Sequence, residues 1–203
     1  MSFPNLSNEG DTRTRIFLAA AELFSNFGYD RVSIRQICEK VGVGKPTLYY
    51  YFTDKETLLT ELLRFSFDIS RGLLKKLLGP AGSFRERFRG LITFRQQFAQ
   101  KYPFFMRFFI SMNILALPDP VRAEMVNYMK WAHRELEKMF VNAQTSGDIN
   151  PKLNPKILNY AVIGAMNQVL IWNIFTDRKQ LMSSQDSELL LEFWDECIFN
   201  QPQ

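Results

Sequence analysis

The sequence predicts an all-α fold, and three observations carry the prediction. Apolar residues recur at three- and four-residue spacing through most of the chain, with no convincing run of the two-residue alternation that marks a strand. Gly and Pro fall between these periodic segments, where helices stop. The connections left between segments are short, as between helices packed on one another.

The first helix is expected from about Asp11 to Phe27, with a stripe of Ile16, Ala20, Phe24 and Phe27 and with Phe17 and Leu23 beside it. Gly28 fits the position just past its end. The second helix starts sharply. Ser33 followed three residues later by Gln36 is a capping box, and Val32 with Ile37 forms a hydrophobic staple. Ile34, Ile37, Cys38 and Val41 face inward, and Gly42 stops the helix. A third helix starts around Gly44–Lys45 and ends near Phe52. Pro46 sits in its first turn, where the missing N–H removes no intrahelical bond. Thr53 and Glu56 read as another capping box, opening a fourth helix that Leu59, Leu62, Leu63, Ile69, Leu73 and Leu77 carry to about Leu78. Gly79-Pro80-Ala81-Gly82 breaks it. Five further amphipathic segments follow, at about 83–101, 103–115, 119–145, 155–175 and 184–199, giving about nine helices.

Composition narrows the class. Of 203 residues, 46% are hydrophobic and 23% charged, which excludes a disordered, collagen-like or disulfide-dense chain. The two cysteines, Cys38 and Cys197, are far apart with no C-x-x-C, and His133 is the one histidine. No metal site and no cofactor is therefore expected. The start, Met-Ser-Phe-Pro-Asn, lacks the basic region of a signal peptide. The longest apolar runs, 103–118 and 160–172, fall short of the roughly 20 residues that span a bilayer. The expectation is a cytoplasmic protein with no membrane partner. Net charge is +4, but residues 1–60 carry seven bases and seven acids. DNA binding by that half must come from geometry and not from bulk charge.

That geometry is present. The second and third helices, about eight and seven residues long, are joined across Gly42 at the dimensions of a helix-turn-helix. On the third helix Val43, Leu48, Tyr51 and Phe52 can point inward, leaving Lys45, Pro46, Tyr49 and Tyr50 outward. A short helix presenting a Lys and two Tyr suits a groove lined with phosphates.

Over these residues the chain resembles the N-terminal domain of TetR/AcrR-type transcriptional regulators. The stretch Thr14 to Leu63 carries A-x-x-L-F-x-x-x-G-Y at Ala20 to Tyr29, I-x-x-x-x-G-V at Ile37 to Val43, and L-Y-x-[YH]-F-x-x-K-E-x-L at Leu48 to Leu58. The resemblance implies an all-α homodimer that binds double-stranded operator DNA and releases it when a small ligand enters the C-terminal domain. By position it implies DNA contacts from Ser33, Arg35, Gly44, Lys45, Pro46, Thr47, Tyr49, Tyr50, Tyr51 and Lys55. Gly44, often Ser in the family, and Pro46, often Gly, depart from the pattern and bear on base readout. The expected organisation is an arm over 1–10, a DNA-binding domain over 11–71 with its helix-turn-helix at about 33–52, and an effector-binding and dimerisation domain over 72–203.

The C-terminal region is read from its residues alone. Phe94, Phe98, Phe105, Phe108, Phe109, Met112, Met125, Tyr128, Trp131, Tyr160, Met166 and Trp172 are candidates for an adaptable pocket taking a lipophilic effector. Between Arg71 and Arg107 lie nine bases and one acid, either a solvated face or an attraction for an anionic effector, such as a fatty acid or acyl thioester, or for flanking DNA. Ile157, Ala161, Gly164 and Ala165, with Leu190, Phe193, Trp194 and Cys197, suit a four-helix dimer interface built from the last two helices of each copy. The alternatives are a helical interaction module without DNA binding and an all-α enzyme. The enzyme has little to rest on, with one His, no nucleophile beside a base and no Gly-rich phosphate loop.

Overall fold

The structure, a computed structural model, describes residues 11–79, 82–111, 115 and 117–199. Among them it holds nine α-helices and no strand: α1 (Thr12–Phe27), α2 (Ile34–Val41), α3 (Lys45–Tyr51), α4 (Lys55–Leu77), α5 (Phe84–Lys101), α6 (Pro103–Ser111), α7 (Asp119–Thr145), α8 (Pro155–Phe175) and α9 (Ser184–Ile198). The all-α class and the order of elements are as the sequence predicts. The 1–10 arm, Pro80, Ala81 and Met112 lie outside the described residues.

The helix starts are set by side-chain caps. Asp11 accepts from the Arg13 N–H at 3.1 Å to open α1. Ser33 and Gln36 form the expected capping box on α2. Two further boxes, Ser83 with Glu86 on α5 and Ser183 with Asp186 on α9, were not anticipated. Two expectations are corrected here. Asp54, not Thr53, caps α4: its Oδ1 accepts from the Thr57 N–H at 2.6 Å. A carboxylate is favoured at a helix start because it meets both the free N–H groups and the positive end of the dipole. Phe27 is also corrected. It lies in phase with the α1 stripe but falls in the last turn, where the face is uncovered, and is 56% exposed.

The chain divides into two compact units, Met1–Leu73 with Phe104–Tyr128, and Leu74–Pro103 with Met129–Gln203. The first thus ends inside α4 and also takes in α6 and the start of α7. Its core is built on Ile16, Phe24, Ile37, Leu48, Phe52, Leu59 and Leu63, all fully buried. Three polar ties fix α1 to its neighbours. The Arg15 guanidinium donates to the Val41 carbonyl at the end of α2. Lys40 pairs with Glu22 at 2.9 Å. Arg13 pairs with Glu61 of α4 at 2.5 Å and lies over the Phe17 and Phe52 rings. Within the same unit Phe67 stacks on Tyr128 at 4.1 Å and on Phe109 at 5.6 Å. Beside that stack the Ser70 and Tyr128 hydroxyls share a hydrogen bond.

The second unit has an aromatic centre of Phe84, Phe88, Phe140 and Phe199. There α5 is joined to α9 by Arg85 and Asp195 at 2.9 Å and by Gln96 and Ser184 at 3.0 Å. Leu77, ending α4, meets α5 at Gly90, where an added Cβ would lie 2.3 Å from Leu77 Cδ1. A larger residue there would require the Leu77 side chain to move.

Helix α8, with 21 residues, is long and apolar enough to cross a membrane by length and composition alone. The apolar run 160–172 falls short of this length because Asn159 and Asn173 bound it within the helix. Those amides are fitted to protein. Asn159 donates to the His133 carbonyl at 3.0 Å, and Asn173 to the Leu181 carbonyl at 3.0 Å. Leu158, Val162, Met166 and Leu170 of α8 are buried, and a second apolar set, Ile157, Tyr160, Ala161, Gly164, Trp172 and Phe175, is exposed.

Candidate nucleic-acid interface

The turn between α2 and α3 depends on Gly42, whose φ of 74° and ψ of 37° lie in the left-handed region. Leu48 and Phe52 are buried and hold α3 down on the head. The opposite face is open. Gly44, Lys45, Pro46, Thr47, Tyr49 and Tyr50 are all exposed, Tyr50 by 83%. Tyr51 is half-buried, with its ring edge-on to Tyr50 at 5.0 Å. The N-cap of α3 is Gly44, which offers no side-chain hydrogen bond to the first turn. The start of α3 therefore presents the positive end of its dipole without a capping oxygen, an arrangement that attracts phosphate.

The flanking polar residues differ in how free they are. The Ser33 Oγ accepts from the Gln36 N–H and donates to Gln36 Oε1 at 2.9 Å, so a phosphate contact must displace that bond. Arg35 donates from Nε to Glu39 at 2.7 Å, and this hydrogen bond, with the Glu39 charge, holds the guanidinium above its ordinary pKa. Lys45 forms no ion pair among the described residues. Its charge reaches the buried Cys38, but burial dominates and pushes that thiol up, away from reactivity. Lys55, at the first position of α4, places its Nζ over the Tyr29 ring at 4.0 Å. Partial burial lowers its pKa and Asp30 opposes the shift. Tyr29 was passed over in the sequence, where it stood only as the end of a motif.

The described pocket candidates are divided between the two units. Phe105, Phe108 and Met125 are buried in the first unit, with Phe109 and Tyr128 half-buried there. Phe94, Phe98 and Met166 are buried in the second unit, with Trp131 half-buried. Tyr160 and Trp172 are corrected: at 50% and 59% exposed they line no interior, because they stand on the outward face of α8. Among the interface candidates Ile157, Ala161, Gly164, Phe193 and Cys197 are exposed, and Ala165 and Leu190 half-buried. Trp194 is corrected. It is buried, and the exposed stripe of α9 runs through Leu189, Phe193 and Cys197 at four-residue spacing. The basic run from Arg71 to Arg107 is partly neutralised. Arg71 pairs with Asp68, Arg85 and Arg89 share Asp195, and Arg87 donates to the Gly82 carbonyl.

The family model described as "Bacterial regulatory proteins, tetR family" matches residues 16–62, which span α1 to the first turns of α4. The chain is 30% identical over 153 residues to the HTH-type transcriptional regulator RutR of Escherichia coli K12, across 72% of this chain and 68% of that protein. Among solved structures it resembles the ketosteroid transcriptional regulator KstR2 of Mycobacterium tuberculosis, with a TM-score of 0.80 at 15% identity over 94% of this chain and 96% of that one. It also resembles the transcriptional regulator FadR of Bacillus subtilis in complex with stearoyl-CoA, with a TM-score of 0.74 at 18% identity over 88% and 95% of the two chains. The match to RutR extends well past the helix-turn-helix, and the open face of α3 stands where the family model lies: this chain belongs to the tetR family of DNA-binding transcriptional regulators.

Proposed function

We propose that the protein is a cytoplasmic, homodimeric repressor, released from operator DNA by a small apolar or amphipathic effector, with no membrane partner, metal or cofactor. The observation that carries this reading is the exposed face of α3: a cation and two tyrosines on a short helix whose start has no side-chain cap. In this reading Lys45, Pro46 and Thr47 meet base edges. Tyr49, Tyr50, Tyr51, Ser33, Arg35 and Lys55 meet phosphates, and Gly44 allows close approach. The head corresponds to 11–71, preceded by an arm at 1–10, and 72–203 serves effector binding and dimerisation.

The exposed apolar faces of α8 and α9 support a two-fold pairing, and dimers read paired half-sites about one helical turn apart. For the effector, Phe109 and Tyr128 of the 72–203 region, with Phe67 and Ser70 from the end of the head beside them, offer apolar surface next to the Ser70–Tyr128 hydroxyl pair. An amphipathic molecule suits that pairing, and a protein of this fold is known in complex with stearoyl-CoA. Selection of binding sites from a random-sequence duplex pool, followed by mobility shifts across a salt series, tests the reading. Tyr49→Phe should weaken binding to all selected sequences alike, whereas Lys45→Ala or Pro46→Ala should change which sequences are preferred. Loss of affinity by Lys45→Ala equally for every duplex would remove its base-reading role.

A further inference from the structure

Lys55 differs from the other cation that flanks the helix pair in what holds it. The Arg35 guanidinium is joined to a carboxylate, that of Glu39, at 2.7 Å. Asp30 acts on the Lys55 ammonium, and Asp30, Asp54 and Glu56 all act on the Tyr29 hydroxyl of the ring beneath it, yet among the described residues Lys55 forms no ion pair with any of the three. Asp54 is held away by its own task, accepting from the Thr57 N–H at 2.6 Å. The ammonium instead rests over the Tyr29 ring at 4.0 Å. That ring is itself braced from the core side, 5.4 Å from Phe24, which is 1% exposed. The chain around it is fixed by the Val32 N–H donating to the Tyr29 carbonyl at 3.3 Å.

We propose that Tyr29 is a positioning residue for DNA binding: its ring face holds the Lys55 ammonium at the start of α4, free of carboxylates and ready to meet a backbone phosphate. The inference rests on the phosphate-contacting role given to Lys55 above. A lysine carries a compact charge on a flexible four-carbon stem, and restraining that stem before DNA arrives removes part of the ordering that binding would otherwise require. The ring attracts the cation through its quadrupole while occupying one side only, which leaves N–H donors for phosphate oxygens. An ion pair to Asp30 or Glu56 would restrain the stem equally well but would have to break before phosphate could bind.

The test uses the full-length protein and a duplex recovered by selection from a random-sequence pool. Lys55→Met should lower affinity and flatten the dependence of log affinity on log salt by about one unit. Tyr29→Leu should lower affinity about fivefold at unchanged salt slope, since the charge is still present, whereas Tyr29→Phe keeps the ring and the affinity. In the Lys55→Met background Tyr29→Leu should change nothing further. In the free protein the Lys55 ε-methylene protons should show an upfield ring-current shift by NMR, kept in Tyr29→Phe and lost in Tyr29→Leu. If Tyr29→Leu does not fold, Tyr29→Met, which also fills the space without a ring, replaces it in the cycle. Equal weakening by the Tyr29 substitution with and without Lys55 would mean that Tyr29 only supports the head, and would overturn the positioning role alone. Unchanged affinity and salt slope in Lys55→Met would overturn the phosphate contact and, with it, the role of Tyr29.

Discussion

At Asp54 a single carboxylate organises the start of the longest helix of the head. It accepts from the Thr57 N–H, and that bond, first among its causes, holds the carboxyl below its ordinary pKa. Asp54→Ala should cost about 1 kcal/mol of stability, the usual worth of an N-cap. Asp54 is largely exposed, so solvent screens the share that comes from charge. The sign with pH is fixed by the direction of the shift. A carboxyl whose folded value lies below its unfolded value, about 3.9, stabilises the fold above that pH and loses the contribution as pH falls through the folded value. Urea unfolding should therefore separate wild type from Asp54→Ala at pH 7, with the gap narrowing towards pH 3. An equal gap at both would show that the charge on Asp54 plays no part. Sequence spacing favours Thr53, because Glu56 stands three residues on as in a capping box, but Asp54 one residue later is as good a cap and is the one whose carboxylate meets the Thr57 N–H. In the same way the Ser33–Gln36 box was legible because it stands alone before a clear apolar period, whereas the contact of Lys55 with Tyr29 spans 26 residues and no local pattern reports it.

Helices α8 and α9 each carry apolar residues on two faces, one buried and one open. On α8 the buried side runs through Leu158, Val162, Met166 and Leu170, and the open side through Ile157, Ala161, Gly164 and Trp172. Periodicity finds the helix but cannot tell a face that meets the chain's own core from one that meets another copy, because both exclude water by the same physics. For that reason Tyr160 and Trp172 read as pocket residues, and Trp194 as an interface residue. The phase becomes readable only once Asp195 is seen reaching Arg85 and Arg89 on α5, which turns Phe193 outward. Gly164 makes the dimer reading testable with little risk to the protomer. A Cβ there meets nothing within 4 Å, so Gly164→Arg fits the single chain. If the open faces pair, this variant should shift the protein from dimer to monomer by light scattering at micromolar concentration, with thermal unfolding of the protomer retained. A dimer that survives the substitution would move the interface elsewhere.

Taken whole, the helices of the helix-turn-helix were legible in the sequence almost to the residue, whereas the seat of an effector was not. The head must match a duplex of fixed shape, which restricts its residues; an effector pocket follows its ligand, and aromatic composition alone does not separate a pocket from a core. Helix α4 begins with Lys55 and continues unbroken for 23 residues, a rod of about 35 Å. In the proposed switch the effector biases the DNA-free form, and coupling of about 1–3 kcal/mol would change DNA affinity roughly 5- to 150-fold. By linkage the operator must weaken effector binding by the same factor. Calorimetric titration of an amphipathic effector, found by its shift of thermal unfolding, should therefore give different affinities with and without bound operator duplex. Identical affinities would leave that ligand with no thermodynamic means of releasing DNA. The open face of α8 also has an optical consequence. Of the three tryptophans, Trp194 is buried, Trp131 half-buried and Trp172 exposed in the single chain. If two copies close over α8, Trp172 is the indole whose surroundings change from water to protein. Its emission would move to shorter wavelength as chains associate, so simple dilution in a fluorimeter would follow assembly of the regulator with no label attached.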